Sequence, residues 1–564
     1  MGSSRALASP RVPARSLVLG MAFLAALSAC TPAQPQHESE PPTSESSTEA
    51  PTVVPPTEPS TTEPSPTEPS PEGSATATPT QEPATAYRKR AEQITAGLSL
   101  EEKAGQVVVA AHRGAVAPTD LVVGEHLGGI ILMDATLTTE EVRDLNATLT
   151  RAAEESGRDW PLFLGVDQEG GLVERAKGEL TRFPTFMSYG AADSPELTRR
   201  ASAASGAELR GIGFTVDFAP DADVTMGPTD PTIGSRSAGS DPQLVATQAV
   251  AAARGYLDAG VLPVLKHFPG HGSVPEDSHE TLPLQERTLE QLREIDLVPF
   301  AGAVDAGLPA VMVGHIEVAA LGSTLPSSVE PKVVDGLLRE ELGFDGLVTT
   351  DAVDMEAVAE QFGSGSAAVR ALKAGVDVVL MPPDPVAARD AIERAVTDGR
   401  LPQARLDEAV TRQLEALLRT QDQATVDPTA PGDARAASRE VSLGAITVVA
   451  GACQGALIQD GIVAVGDAAP VRRLTQAAEQ AGVRVGRGTT VELLGLGQEP
   501  RGGADITVAM DTPYVLGRSD APTRIALYGD TPGAMVALVR VLTGEVAAPG
   551  RLPVAVRGVE RDGC

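Results

Sequence analysis

The chain has 564 residues, with 76 acidic against 45 basic side chains and a formal net charge of −31. This length exceeds what a single hydrophobic core usually fills, so we expect two or more domains. Binding to phosphate groups needs clustered Lys and Arg, and so acidic a surface excludes nucleic acid as a partner. Only three cysteines, Cys30, Cys453 and Cys564, are present, which speaks against a disulfide framework.

The N-terminus carries the pattern of an export signal. Three arginines, Arg5, Arg11 and Arg15, precede an apolar stretch at residues 16–27 that is too short to span a bilayer. The stretch is followed by L-S-A-C, which resembles the lipobox of bacterial lipoproteins. That resemblance implies a signal peptide at residues 1–30, lipidation of Cys30 and anchoring at the outer face of the cytoplasmic membrane. An ordinary secretory signal is the alternative.

Residues 31–86 have the composition of a linker. They contain nine glutamates and no Lys or Arg, and the rest is mainly Pro, Ser, Thr and Ala. Such a segment has almost nothing apolar to bury, so we predict a disordered linker stiffened by proline and by charge repulsion. It would act as a tether that lets a folded domain work away from the membrane.

From residue 87 to residue 425, short apolar runs alternate with stretches long enough for a helix. Alternating strands and helices imply a parallel sheet, and eight repeats favour a (β/α)8 TIM-type barrel, with a doubly wound open sheet as the alternative. Helices are predicted at 139–155, 195–209, 243–259 and 289–306. The eight predicted strands lie at 106–110, 129–133, 161–166, 214–218, 262–265, 310–313, 346–349 and 376–380.

A barrel places its chemistry just past the C-terminal ends of its strands. Polar and charged residues do gather at that end of the predicted strands. They are Asp167 and Glu169 after the third run, Asp221 and Asp223 after the fourth, Lys266, His267, His271, Asp277 and His279 after the fifth, His315 after the sixth, and Asp351 and Asp354 after the seventh.

A second unit is predicted at residues 426–564, after a linker rich in Pro and Thr. Its strand-like runs at 445–449, 461–465, 505–509 and 524–528, with helical pieces between them, indicate a smaller α/β domain. It has no charged cluster that suggests catalysis, and both structural support and substrate contact are compatible with its sequence.

The stretch K-H-F-P-G-H-G-S-V-P-E-D-S-H at residues 266–279 holds three of the seven histidines. Its prolines and glycines exclude a long helix, and a loop that concentrates titratable groups is often a functional site. Residues i and i+2 of an extended segment project to the same side, so Asp277 can hold the Nδ1–H of His279 and orient it as a general acid or base. A polar surface loop is the alternative interpretation.

Asp351 stands where the seventh apolar run ends. A carboxylate that is dehydrated on one side and exposed on the other suits a nucleophile that attacks a carbon centre. A helix cap is the alternative role, and Asp354 fills that role more naturally.

These motifs together resemble glycoside hydrolase family 3, and more narrowly its bacterial β-N-acetylglucosaminidase branch, which acts on cell-wall amino sugars. The resemblance rests on segments in the same order as in the family. They are G-V-D-Q-E-G-G-L-V-E-R at 165–175, D-F-A-P-D-A-D-V at 217–224, I-G-S-R-S at 233–237, K-H-F-P-G-H-G with D-S-H at 266–279, and E-L-G-F-D-G-L-V-T-T-D-A-V-D-M at 341–355. A weaker resemblance at G-E-V-A-A-P-G-R-L-P, residues 544–553, extends to the family's second domain, an α/β sandwich.

The resemblance implies a retaining mechanism with no metal and no cofactor. Asp351 would attack the anomeric carbon, and His279, oriented by Asp277, would protonate the leaving oxygen and later activate water. Gly270 and Gly272 would let the histidine loop swing in and out. The residues implied in sugar binding are Asp167, Arg175, Arg236, Lys266, His267 and Met355.

Two positions depart from the family pattern, because Leu172 stands where arginine is usual and Glu174 where glutamine is frequent. Within the family, a β-glucosidase or a glycosyl phosphorylase is the runner-up. A metal-dependent hydrolase with His267, His271, Asp277 and His279 around zinc, and a lipoprotein that only binds glycans, are rival hypotheses. The aglycone and the oligomeric state stay open.

Overall fold

The computed structural model describes residues 84–359 and 361–559, all of which belong to one compact unit. The predicted signal peptide at 1–30, its Cys30 and the predicted linker up to residue 83 lie outside the described residues. The first helix, Ala84–Gly97, begins within the last three residues of the segment 31–86 that was predicted to be a disordered linker.

Eight parallel strands form the wall of a barrel, and each lies in one of the eight predicted runs or overlaps it. Their register is parallel throughout, and they follow one another in chain order around the wall. They are β1 (Val108–His112), β2 (Gly129–Leu132), β3 (Phe163–Val166), β4 (Val216–Asp217), β5 (Leu262–Pro263, continued by Leu265–Phe268), β6 (Ala310–Val313), β7 (Leu347–Thr350) and β8 (Val379–Leu380).

The ring closes between β7, β8 and β1. The amide of Thr350 donates to the carbonyl of Val378 at 3.0 Å, and Val108 and Val109 of β1 pair with β8. Buried apolar side chains from all eight strands and their ends, among them Phe163 and Phe218, fill the interior. The architecture is therefore the predicted TIM-type barrel, and the open doubly wound sheet is excluded.

The helices pack outside the strands and begin at clear capping signals. Ser99, Thr138 and Thr288 each form a capping box with the acidic or amide residue three positions later. The helical segments of the barrel are Ala84–Gly97, Leu100–Gln106, Asp120–Gly124, Thr139–Glu155, Met187–Ala192, Pro195–Gly211, Gly234–Arg236, Pro242–Asp258, Leu289–Glu294, Val298–Asp305, Ala319–Leu321, Ser327–Val329, Lys332–Glu341, Glu356–Ala359, Ser364–Lys373, Pro385–Thr397 and Gln403–Asp422.

The helix predicted at 289–306 is in fact two helices. Ile295 leaves the helical region, with φ −126° and ψ −75°, and the next helix starts at Val298 with Pro299 in its first turn. Proline fits the first turn of a helix and not its interior, so the break falls just before it.

Two small pairs of strands lie beyond the ends of the barrel strands. Gln168–Gly170 and Val173–Glu174 form an antiparallel hairpin after β3. Leu284–Gln285 and Glu317–Val318 pair in parallel after β5 and β6. These pairs fix two of the loops that carry the candidate site residues.

The C-terminal domain is a five-stranded sheet with helices, as the sequence predicted. Its strands are β9 (Thr447–Ala450), β10 (Ile462–Val465), β11 (Thr489–Leu494), β12 (Ile506–Ala509) and β13 (Thr523–Ala526), in the order β9-β13-β12-β11-β10 with only β9 antiparallel. Its helical segments are Arg435–Ala445, Ala468–Gln480, Pro513–Arg518 and Pro532–Leu542. Strand β11 was not predicted, because Glu492 interrupts its apolar residues.

Cys453 of this domain is disulfide-bonded. The low cysteine count did not lead us to expect even one disulfide. Within the described ranges, no helix combines the length and the apolar character needed to cross a membrane.

Candidate active site

The predicted site residues of the barrel lie at the C-terminal ends of β3 to β7. Lys266 and His267 belong to the end of β5, and Asp351 directly follows β7. His315 follows β6 at the same end of the barrel, and the amide of Asp351 donates to the carbonyl of Val313 at 2.9 Å, which ties the end of β7 to β6. The structure thus brings together groups that are far apart along the chain.

A buried network of alternating charges occupies the end of β3 and β5. The guanidinium of Arg236 donates two hydrogen bonds to the carboxylate of Glu169, at 2.9 and 2.8 Å. The Nζ of Lys266 lies 2.6 Å from Glu169 Oε1 and 2.9 Å from Asp167 Oδ1. Two carboxylates and two cations compensate one another, which a buried charge requires.

The pKa shifts of these groups follow from this pairing. Burial raises the pKa of Glu169, but Arg236 and Lys266 lower it by more, so the pKa falls well below its usual range. Burial lowers the pKa values of Lys266 and Arg236, but the neighbouring carboxylates raise them by more, so both pKa values lie above their usual range. All three groups are charged at neutral pH and present fixed donors and acceptors.

His267 is held by Asp223 from the end of β4. Its Nδ1 lies 2.6 Å from Asp223 Oδ2, and Nη2 of Arg236 lies 3.4 Å from its Nε2. Because a guanidinium only donates, Nε2 accepts and Nδ1–H donates to Asp223. Burial and then the charge of Arg236 lower the pKa of His267 to about 4, so its imidazole is neutral at neutral pH.

Asp351 stands between histidines from the two preceding strands. Burial raises the pKa of Asp351, but His267, His315 and the amide of Ala352 lower it by more, so the resulting pKa is about 2. The amide of Ala352 donates to Asp351 Oδ1 at 2.8 Å. His315 is fixed by its Nε2–H, which donates to the carbonyl of Ala352 at 2.9 Å, and by Ser328, 2.8 Å from its Nδ1. Asp351 is therefore an ionised carboxylate held in one orientation.

The predicted contact between Asp277 and His279 is present. His279 Nδ1 lies 2.7 Å from Asp277 Oδ1, which also accepts the backbone N–H of His279 at 2.9 Å. Burial raises the pKa of Asp277, but these hydrogen bonds lower it by more, so the pKa lies below its usual value. The side chain of His279 is 65% exposed, unlike the other histidines of the site. It also lies near enough to His315 to affect its pKa.

The two glycines of this loop have a packing role, and their predicted hinge role stays a prediction. A Cβ at Gly270 would lie 2.7 Å from the Cβ of Asp296, and one at Gly272 would lie 2.5 Å from the carbonyl oxygen of Val224. Both glycines are buried, so they permit close packing at the base of the loop. The exposed part of the loop lies further on, around His279.

The remaining predicted site residues lie around this centre. The amide of Arg175 donates to the carbonyl of Asp167 at 3.1 Å, and its buried Nε has no hydrogen-bond partner among the described residues. Met355 is buried and lies four residues beyond Asp351, just before the helix Glu356–Ala359. Arg175 thus has a donor that is free for a ligand.

The zinc site of the rival hypothesis is not assembled. Of the described residues, the group close enough to share a metal ion is Asp221, Asp223 and His267. Arg236 already lies beside this group, with its Nη2 3.7 Å from Asp221 Oδ2. The guanidinium of Arg236 thus already supplies a positive charge beside these three residues. Two of the three possible metal ligands, Asp223 and His267, are hydrogen-bonded to each other, so these residues do not fit a metal.

The list of predicted site residues did not include Glu169, Asp223 or His315, although each follows the end of a strand. Glu169 is the centre of the charge network and lies only two positions after Asp167. Its position, two carboxylates directly after one strand, already placed it at the catalytic end of the barrel, but nothing local in the sequence assigned it a role beside Asp167.

A closed parallel barrel with fixed charges, a partly buried ionised carboxylate and an Asp-His pair on an exposed loop at one end defines an enzyme of the TIM-barrel class with a polar binding pocket. Comparisons with known proteins identify the family. The Glycosyl hydrolase family 3 N terminal domain matches residues 99–416. The chain therefore belongs to glycosyl hydrolase family 3, and it is a glycoside hydrolase.

Individual relatives agree with this assignment. The chain is 36% identical over 355 residues to the beta-hexosaminidase LpqI of Mycobacterium tuberculosis, covering 60% of this chain and 88% of that protein. A solved family 3 beta-N-acetylglucosaminidase from Paenibacillus is similar with a TM-score of 0.73 and 31% identity, over 82% of this chain and 99% of that one. The beta-glucoside phosphorylase BglX, with a TM-score of 0.71 and 20% identity over 83% and 96%, shares the fold.

Proposed function

We propose that the protein is a retaining exo-β-N-acetylglucosaminidase that removes terminal β-linked N-acetylglucosamine from glycans of the cell-wall type. The names of the similar LpqI and Paenibacillus proteins support the sugar. The observation that carries the proposal is the pairing of an ionised, partly buried Asp351 with the Asp277–His279 pair at the same end of the barrel.

In the first step, a carboxylate oxygen of Asp351 attacks the anomeric carbon and the glycosidic C–O bond breaks. The imidazolium of His279 gives its Nε2 proton to the leaving oxygen, while Asp277 accepts the Nδ1–H and stabilises the positive ring. In the second step, Nε2 takes a proton from water, whose oxygen attacks the same carbon and releases Asp351. Two displacements at one carbon retain its configuration.

The charge network is proposed to bind the sugar. Asp167 would accept hydrogen bonds from ring hydroxyls, and Arg175, Arg236 and Lys266 would donate to hydroxyl or acetamido oxygens. His267, which we expected from the sequence to donate, would instead accept through Nε2, because its single N–H is held by Asp223. Their mutual hydrogen bonds fix these groups before the sugar arrives, which reduces the entropy lost on binding. Met355 would supply an apolar contact near Asp351.

The export signal motivates a location, which we propose as the outer face of the cytoplasmic membrane, with a lipid anchor on Cys30 and a role in peptidoglycan turnover. The disulfide at Cys453 supports a site outside the cytoplasm, because disulfide bonds persist in oxidising compartments.

The test measures hydrolysis of an aryl N-acetyl-β-glucosaminide and an aryl β-glucoside, with and without phosphate. We expect cleavage of the N-acetyl substrate, with a product whose first-formed anomer is β by NMR. Preference for the glucoside would favour the β-glucosidase alternative, and a requirement for phosphate the phosphorylase alternative.

Variants assign the two roles. Asp351→Asn should reduce kcat/KM at least about 10³-fold, because it removes the nucleophile. His279→Ala should reduce it roughly 10²- to 10⁴-fold, and much less for a dinitrophenyl leaving group that needs no proton. Glu280→Ala, at the exposed neighbouring position, is the control and should match the parent. Equal losses for both leaving groups would contradict the role of His279.

A further inference from the structure

The C-terminal domain reaches into the barrel at the turn that carries Arg236. Asp511 lies two residues beyond the C-terminal end of β12. Its carboxylate accepts a short hydrogen bond from the hydroxyl of Ser235. Both side chains are buried. Thr512 packs on the same turn, since a Cβ at Gly234 would lie 3.7 Å from its Cγ2.

Ser235 and Arg236 belong to one short helical turn, Gly234–Arg236. A displacement of Ser235 would therefore move the backbone of Arg236. The guanidinium of Arg236 holds Glu169 through two hydrogen bonds and lies 3.4 Å from His267 Nε2. A single residue, Ser235, thus connects Asp511 to Arg236 of the charge network.

A second contact of the C-terminal domain holds the hairpin after β3. Arg182 donates to Glu174 at 2.9 Å and lies 3.4 Å from Asp530, which also pairs with Arg473. The backbone N–H and the hydroxyl of Thr185 both donate to the carbonyl of Tyr528, at 3.0 and 2.9 Å. This hairpin carries Glu169, so the same domain supports both partners of the Glu169–Arg236 pair.

This arrangement gives a physical reason for the departure at Glu174. A glutamine there would be neutral, whereas the carboxylate of Glu174 continues an alternating row of charges through Arg182 and Asp530 to Arg473. The row crosses from the barrel to the C-terminal domain. The charge at Glu174 therefore belongs to the contact between the domains.

We propose that the C-terminal domain positions the sugar site of the barrel, and that Asp511 is a positioning residue which fixes Arg236 through the Ser235 hydroxyl. Asp511 lies outside residues 99–416, the part matched by the family domain. The proposal rests on the proposed sugar-binding role of Arg236, and it assigns the C-terminal domain support of the site rather than substrate contact.

The test is a double-mutant cycle in the full chain with Asp511→Ala, Ser235→Ala and the double variant. Each single variant should raise KM about tenfold, because a buried hydrogen bond that orders the turn is lost, with a smaller change in kcat. The double variant should resemble the single ones, since both remove the same hydrogen bond. Asp511→Asn keeps a carbonyl acceptor for Ser235 and should stay close to the parent.

The control is Glu440→Gln, which removes a carboxylate from the exposed ion pair between Glu440 and Arg200, at 3.5 Å, far from the charge network. It should leave KM unchanged. Parent-like KM values in Asp511→Ala and Ser235→Ala, or additive losses in the double variant, would overturn the proposal.

A second measurement separates this proposal from the proposed function. Hydrogen exchange of a peptide that spans Ser235 should be faster in Asp511→Ala than in the parent, without any sugar present. If the parent cleaves neither aryl substrate, the proposed function fails, while faster exchange still supports the positioning role. Equal exchange in the two proteins would overturn the positioning role whatever the activity.

Discussion

The charge network at Glu169 allows a sharp test of how much a buried ion pair stabilises the site. The perturbation is Glu169→Gln, which keeps the size of the side chain and removes its charge. Arg236 and Lys266 would then face an amide whose NH2 group cannot accept either of their hydrogen bonds. One of the two cations is left with an unsatisfied donor in a buried position.

The expected magnitude follows from burial. The side chains of Glu169 and Lys266 are each 3% exposed, and that of Arg236 is 12% exposed. Removing one partner of a buried pair typically costs about 3–5 kcal/mol, because the remaining charge stays uncompensated. Asp167 and Asp221 offset part of this cost, so we expect roughly 3 kcal/mol of lost unfolding free energy.

The assay is urea unfolding of the variant beside Glu499→Gln as a matched control. Glu499 also accepts two hydrogen bonds from one arginine, Arg518, both at 2.8 Å, but these side chains are 64% and 56% exposed. An exposed pair of this kind is worth about 0–1 kcal/mol. If the two variants lose equal stability, burial does not decide the strength of the Glu169 network and the reasoning is refuted.

Three further predictions concern pH, metal and membrane. Burial raises the pKa of Asp217 to about 7, so the stability that its protonated form contributes is present below about pH 4 and is lost as the pH rises through 7. Between pH 4 and pH 8 the unfolding free energy of Asp217→Asn, measured in urea, should therefore rise by up to about 4 kcal/mol relative to that of the parent. Activity should be unchanged by EDTA, because Arg236 already compensates the carboxylates near His267. Cys30→Ala should move the protein from the membrane fraction to the soluble fraction, as an immunoblot of fractionated cells would show.

The barrel was predictable because of how parallel strands are buried. Strands covered on both faces form continuous apolar runs, so each of the eight runs marked a strand. The contact between Asp277 and His279 was predicted from the i, i+2 geometry of an extended segment. The structure makes the contact in a turn instead, because the amides of Glu280 and Thr281 donate to the carbonyl of Asp277. Strand β11 was not predicted, because its central Glu492 breaks the run that marks a buried strand.

The charge network was beyond local reasoning. Glu169 and Arg236 are 67 residues apart, and Ser235 and Asp511 are 276 residues apart. Their side chains meet only because the barrel places the ends of β3 and β4 side by side and because the second domain packs on the turn at Gly234. The glycines of the histidine loop show the same limit, because their close contacts with Asp296 and Val224 come from other strands and loops.

The distribution of exposure among the titratable groups gives an argument for their roles that is independent of family resemblance. Asp351 is partly buried and His267 is buried, and their surroundings hold the first as a carboxylate and the second as a neutral ring. Groups fixed in one protonation state suit a nucleophile and a binding contact, which keep their charge until the substrate arrives. The side chain of His279 is 65% exposed, so its Nε2 is open to the leaving group in the first step and to the incoming water in the second. A retaining mechanism needs one group of each kind, and the barrel provides the fixed carboxylate at the end of a strand and the proton-transferring imidazole on a loop.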